Sequence, residues 1–251
     1  MANIYFAFTD EKLMEVPELH PEPIINTVPE WYKNIPNKIF KTLDNENDFL
    51  TSSRVSTIKT CPSFVDIFKE GYVIKAPQDY LFYYDDETDD YKWQSSTQYD
   101  TGTEHSVGRF NQVSIHSNNQ MVDYLPSNSG IKFVFKIILP VNVFTDEGYS
   151  TRIIPIPYSF NQDWSSSYGV FKTDYIHQLN IQLQIKTVKK EILIKQGTPL
   201  CVVIPFKRET FTHKIVDLNK DKKLLKKLNR SRVLFDGKFS KQYYINKWHK
   251  K

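Results

Sequence analysis

The segment "GVFKTDYIHQLNIQLQI", Gly169 to Ile185, sets Lys172, Asp174 and Tyr175 close together just ahead of an alternating strand pattern. An amine, a carboxylate and a phenol are side chains that meet polar ligands, so all three are ligand-binding candidates. A protonated lysine cannot accept a proton near pH 7 unless burial or a neighbouring cation depresses its pKa by several units. "TEHSVGRFNQVSIH" supplies a second set, Glu104, His105 and His116. Two imidazoles and a carboxylate suit iron or zinc, but the eleven-residue separation of the histidines lacks the tight His-x-Glu or His-x-Asp spacing of a metal site. A surface or hydrogen-bonded pair is the competing reading, and no metal or cofactor is expected. Arg109, Arg152, Lys207 and Arg208 offer cations for a phosphate or carboxylate, or are solvated strand ends. There is no phosphate-binding glycine loop, no elbow serine and no clustered cysteine. Cys61 and Cys201 stand far apart in apolar or Pro-flanked settings and read as buried free thiols.

These residues need a scaffold, and the pattern around them is that of strands. "YVIKAP", "DYLFYY", "YKWQSS", "GRFNQVSIHS", "GIKFVFKIILPVNVFT", "GYSTRIIPIPYSF", "DYIHQLNIQLQI", "KEILIKQG" and "PLCVVIPFKRE" follow one another with turn signals between them. Leu179, Ile181, Leu183 and Ile185 alternate with Asn and Gln, the period of a strand with one wet face. Many short strands predict a sandwich or barrel-like β domain. "CPSFVDIFKEG" predicts one short helix stopped by Gly71. The acidic run Asp85 to Asp90 predicts a solvated hairpin loop, with oxygen ligation of a cation as the alternative.

The ends differ from the middle. Prolines at 17, 21, 23, 29 and 36 forbid a long helix and predict an extended arm. That arm either packs on its own domain or exchanges with a neighbouring subunit. From His213 to Lys251 there are thirteen Lys/Arg against three Asp, so of the net +4 the tail carries +10 and the rest −6. Leu218, Leu224, Leu225 and Leu228 among lysines predict a basic amphipathic helix, docked on its own domain or meeting nucleic acid or an acidic surface. The divisions are thus 1–50 for the arm, 51–212 for the β core and 213–251 for the tail. No stretch reaches the roughly 18 uncharged apolar residues of a membrane helix, and no signal-type run opens the chain.

The pieces "EGYSTRIIPIPYSF", "GVFKTDYIHQLNIQLQI" and "EILIKQGTPLCVVIPF" are similar in order and spacing to the C-terminal half of trimeric dUTPases and dCTP deaminases. That resemblance implies a β-clip core and a trimer with sites between subunits. It places the water-activating acid on Lys172, a second acid on Asp174 and the base-side aromatic on Tyr175. It also implies an Arg-Ser-Gly phosphate clamp where this chain reads "IPYSFNQDW", and a glycine where His177 stands. Base, clamp and glycine are all replaced, so dUTP hydrolysis is not expected. The same segments, with "VPEWYKNIP" and "TIKTCPSFVDIFKEGYVIKAPQDY", more closely resemble an uncharacterised family of tailed, T4-like marine bacteriophages with distant bacterial relatives, over roughly residues 28 to 211. That resemblance implies a viral protein of the host cytoplasm or the virion. The expectation is a non-catalytic, homo-oligomeric binding protein; the alternative is a nucleotide-binding protein or hydrolase using the inter-subunit cleft with non-standard residues.

Overall fold

The computed structural model describes residues 2–41, 53–88, 90–102, 112–187 and 191–235. Fifteen strands occupy them: β1 (Ile4–Phe8), β2 (Glu22–Pro23), β3 (Lys38–Lys41), β4 (Ser53–Ser56), β5 (Tyr72–Lys75), β6 (Tyr80–Asp85), β7 (Asp90–Ser95), β8 (Val113–His116), β9 (Phe133–Thr145), β10 (Tyr149–Ile154), β11 (Trp164–Ser166), β12 (Gly169–Phe171), β13 (Gln178–Ile185), β14 (Glu191–Ile194) and β15 (Pro199–Lys207). The α-helices are α1 (Glu11–Met14), α2 (Glu30–Lys33), α3 (Pro62–Ile67) and α4 (Lys222–Phe235). The protein is mainly β, and its strand pairings are antiparallel.

The chain divides into two compact units, Met1–Pro29 with Phe68–Arg208, and Glu30–Ile67 with Glu209–Lys251. These boundaries differ from the sequence divisions at 50 and 212. The reason lies in the arm, whose first part is a structural member of the larger unit: β1 pairs with β9 and β2 pairs with β5, while Ile4, Phe6, Phe8 and Leu13 pack on the core. The smaller unit holds the β3–β4 pair, α2, α3 and α4. Within it the Tyr32 hydroxyl donates to the Lys59 carbonyl at 3.4 Å, and the Trp31 and Tyr32 rings meet edge to face.

Strand β9 organises the larger unit. Its sequence FVFKIILPVNVFT is almost continuously apolar, and residues pointing to both faces are buried, as for a strand covered on both sides. One edge carries β8 and then β1, and the other carries β13, itself followed by β11. The β9–β13 register slips between Gln178 and Asn180, opposite the stretch that contains Pro140. Proline has no N–H to give the ladder, so the pairing breaks where it sits. A second sheet runs β12-β10-β15-β5-β2 and a third β14-β6-β7. Side chains from all three meet in one core, including Phe82, Phe135, Ile137, Leu183, Leu200 and Val203, each no more than 1% exposed.

Strand β13 buries Leu179, Ile181, Leu183 and Ile185 in strict alternation, as its sequence predicts. Gly71 has a different role from the expected helix stop. Helix α3 ends at Ile67, and Gly71, at φ +95°, lies so near β15 that a Cβ would meet the Val203 carbonyl oxygen at 2.5 Å. The acidic run forms the β6–β7 hairpin. Asp85 pairs with Lys92 there and accepts from the Glu87 amide at 3.0 Å, and these bonds hold its carboxyl down to about 2.

Candidate functional site

The residues from Phe171 to Gln178 join β12 to β13 and contain all three candidates from the GVFKTDY segment. The turn closes on Lys172, whose carbonyl accepts from the Tyr175 and Ile176 amides at 2.9 and 2.7 Å. Its middle residue, Thr173, is 3% exposed. The Thr173 hydroxyl meets the Thr145 hydroxyl at 2.8 Å and the Thr151 hydroxyl at 2.9 Å, which joins the end of β9, β10 and this turn. Backbone bonds run alongside: the Thr145 amide donates to the Thr173 carbonyl at 3.2 Å and the Val143 amide to the His177 carbonyl at 2.8 Å. His177 Nδ1 meets the Thr173 carbonyl at 3.1 Å, and its ring stacks on Phe144 with centroids 4.0 Å apart. The turn is therefore tied to the sheets through Thr173 and His177.

Asp174 is the clearest case. Arg208, just past β15, reaches it with both terminal nitrogens: Nη1 donates to Oδ1 at 2.8 Å and Nη2 to Oδ2. The Gly148 amide donates to Oδ2 at 3.0 Å. Gly148 sits in the β9–β10 turn at φ +83°, a conformation open to glycine, and its carbonyl in return accepts from the Arg208 amide at 2.9 Å. Arg208 Nη1 also bonds the Ser150 hydroxyl and the Tyr149 carbonyl. The bidentate guanidinium, assisted by the Gly148 amide, holds the Asp174 carboxyl down to about 2. With its side chain 11% exposed and both oxygens occupied, this carboxylate is a poor proton acceptor near neutral pH.

The other candidates scatter. Lys172 is exposed and Tyr175 is 80% exposed. Arg152 lies on β10 between Val170 and Ile204, its guanidinium 5.2 Å from the centre of the Phe206 ring. That is a cation–π contact on the sheet surface, remote in role from Asp174. His116 ends β8 opposite Val134, and its Nε2 is buried with no hydrogen-bond partner among the described residues. Glu104, His105 and Arg109 lie outside the described residues. Among the described residues no group of three His, Cys, Asp or Glu is placed to hold a metal ion. Both cysteines are free: Cys201 is fully buried in β15, while Cys61 is only half-buried, which corrects the expectation of two buried thiols. A hydrogen bond from Ser63 lowers the Cys61 pKa, whereas burial raises that of Cys201.

The loop Pro155–Asp163, where the resemblance implied a phosphate clamp, contributes no cation. It borders an open groove of about 480 Å³ that continues over β11 toward β15. Tyr158 and Phe160 both adopt left-handed backbone, at φ 56° and 53°. For residues with a Cβ this costs roughly 1–2 kcal/mol each. Asn161 Oδ1 holds the loop by accepting from the Asp163 and Trp164 amides at 2.9 and 3.2 Å.

Sequence reading found Asp174 but missed its partner and the three threonines, because nothing local marks residues 145, 151, 173 and 208 as neighbours. In sequence Arg208 reads as a cation for a phosphate or carboxylate or as a solvated strand end, with nothing to name Asp174 as its partner. No protein-family model, curated protein or solved structure matches the chain. No helix among the described residues is long and apolar enough to cross a membrane.

Proposed function

We propose that this chain is a non-catalytic binding protein built on a degenerate dUTPase-like, β-clip scaffold, and that it works as a virion-associated or assembly component. The observation that carries the reading is how the GVFKTDY hairpin spends its groups. Asp174 is closed by Arg208 and Gly148, Thr173 is consumed by two other threonines, and the residue at the water-activating position is an exposed lysine. Beside Lys172 the hairpin presents apolar side chains outward: Val170 is 62% exposed, Tyr175 80% and Ile176 50%.

β12 ends its sheet, so one side of this short strand has no strand partner among the described residues. An unpaired edge carrying apolar side chains is a natural contact for another copy, and the resemblance to trimeric enzymes points the same way. The first part of the arm is spent on the larger unit's own sheets. We read Lys222–Phe235 as a basic helix facing an acidic surface, protein or nucleic acid.

The test is a hydrolysis and thermal-shift screen against the common ribo- and deoxynucleotides, with and without divalent metal, run beside sedimentation of the wild type and Val170→Lys. The reading expects no turnover and an oligomer that Val170→Lys dissociates. Turnover abolished by Asp174→Ala out of proportion to its effect on stability would instead establish the nucleotide-hydrolase alternative.

A further inference from the structure

We propose that the groove beside the Pro155–Asp163 loop is a saccharide-binding site. The proposal rests on residues outside the GVFKTDY segment itself.

Three observations carry it. The first is a buried hydroxyl with nothing to bond. Ser166, on the edge strand β11, is 1% exposed, lines the groove, and its Oγ has no hydrogen-bond partner among the described residues. Buried polar groups are almost always satisfied, so an orphan at the wall of a groove marks a place for a ligand atom or a bound water. The second is the supply of half-used amides. Asn161 spends its oxygen on the loop and leaves its NH2 without a partner among the described residues; Gln162 and Gln184 donate to the Phe160 carbonyl and the Ser167 hydroxyl and leave their oxygens likewise. The groove therefore offers both donors and acceptors along its length. The third is the aromatic rim. Phe160 is 65% and Tyr168 79% exposed, and Phe160 is held in left-handed backbone that places strain at the groove.

The chemistry selects the ligand class. A sugar ring has hydroxyls that each donate and accept, matching amide and hydroxyl side chains, and an apolar C–H face that packs on an aromatic ring. Among the described residues lining the groove the one ionisable cation is Lys186, which suits a neutral sugar or one with a single acid group.

The experiment is saturation-transfer NMR of the full chain with methyl glycosides of the common hexoses, N-acetylhexosamines, hexuronic acids and N-acetylneuraminic acid, with nucleoside monophosphates as a second panel. Titration of the responding sugars into Tyr168→Ala and Ser166→Ala follows. The expected result is binding of at least one saccharide that Tyr168→Ala weakens about tenfold. Ser166→Ala should weaken it similarly while the melting temperature stays level or rises, since the hydroxyl makes no bond in the free protein. Silence across the saccharides at millimolar concentration overturns the proposal. So does a response confined to the nucleotides, or saccharide binding that neither variant alters.

Discussion

Replacing Thr173 with valine tests whether the β12–β13 turn is a structural joint. Valine nearly conserves the volume, so no cavity confuses the result, and what is lost is one hydroxyl at the meeting point of three strands. That hydroxyl makes two bonds, at 2.8 Å to Thr145 and 2.9 Å to Thr151, in a residue 3% exposed. Each is worth about 1 kcal/mol net, and the Thr151 hydroxyl, on a residue 1% exposed, is left without its partner, which brings the expected loss to about 2–3 kcal/mol. For a chain of this size that is a fall of about 4–12 °C in melting temperature. Urea unfolding followed by tryptophan fluorescence measures it, with an unchanged slope showing that the variant still unfolds as one cooperative unit. Thr145→Val added to Thr173→Val should cost less than the two singly, because they share a bond. A loss below about 0.5 kcal/mol, the range of an ordinary surface change, would refute the claim that the turn is held by this network.

Other consequences follow from the same geometry. Arg208 holds the Asp174 carboxyl at about 2 against an ordinary 3.8, so the folded state favours the charged form. Its contribution is complete above the unfolded value and disappears as the pH falls through about 2. The melting-temperature gap between wild type and Asp174→Asn should therefore be flat at neutral pH and close between about pH 4 and pH 2; a gap independent of pH would contradict the ion pair. Leu183→Ala, at a fully buried position of β13, should cost about 2–5 kcal/mol by urea unfolding. With a thiol reagent, half-buried Cys61 should react quickly and buried Cys201 only on unfolding, giving one fast equivalent per chain; two fast equivalents would mean that β15 is open. Val170→Lys should dissociate the proposed oligomer and leave the intrachain melting behaviour nearly unchanged, read by sedimentation and calorimetry together.

Much of the fold was legible from short-range pattern. The alternation in "LNIQLQI" becomes the buried and wet faces of β13, and the unbroken apolar run of β9 becomes the strand covered on both sides. These features are local: side-chain period is fixed by backbone geometry, and the hydrophobic effect chooses the face. Gly71 shows the limit of such reading. A glycine after a helical stretch looks like a stop, yet its left-handed backbone serves a close approach to Val203, more than a hundred residues away.

The candidate site divides along the same line. The sequence by itself determined that Asp174 stands in a turn before an alternating strand, and that a lysine precedes it by two positions. The tertiary structure decided what that acid does. Antiparallel pairing of β10 with β15 brings Arg208 beside the β9–β10 turn, and the Thr145, Thr151 and Thr173 hydroxyls converge only once β9, β10 and the β12–β13 turn are in register. Periodicity specifies which face of a strand is buried; the partners of a polar group are specified by which strands pair and in what register, and that is settled only when the core closes.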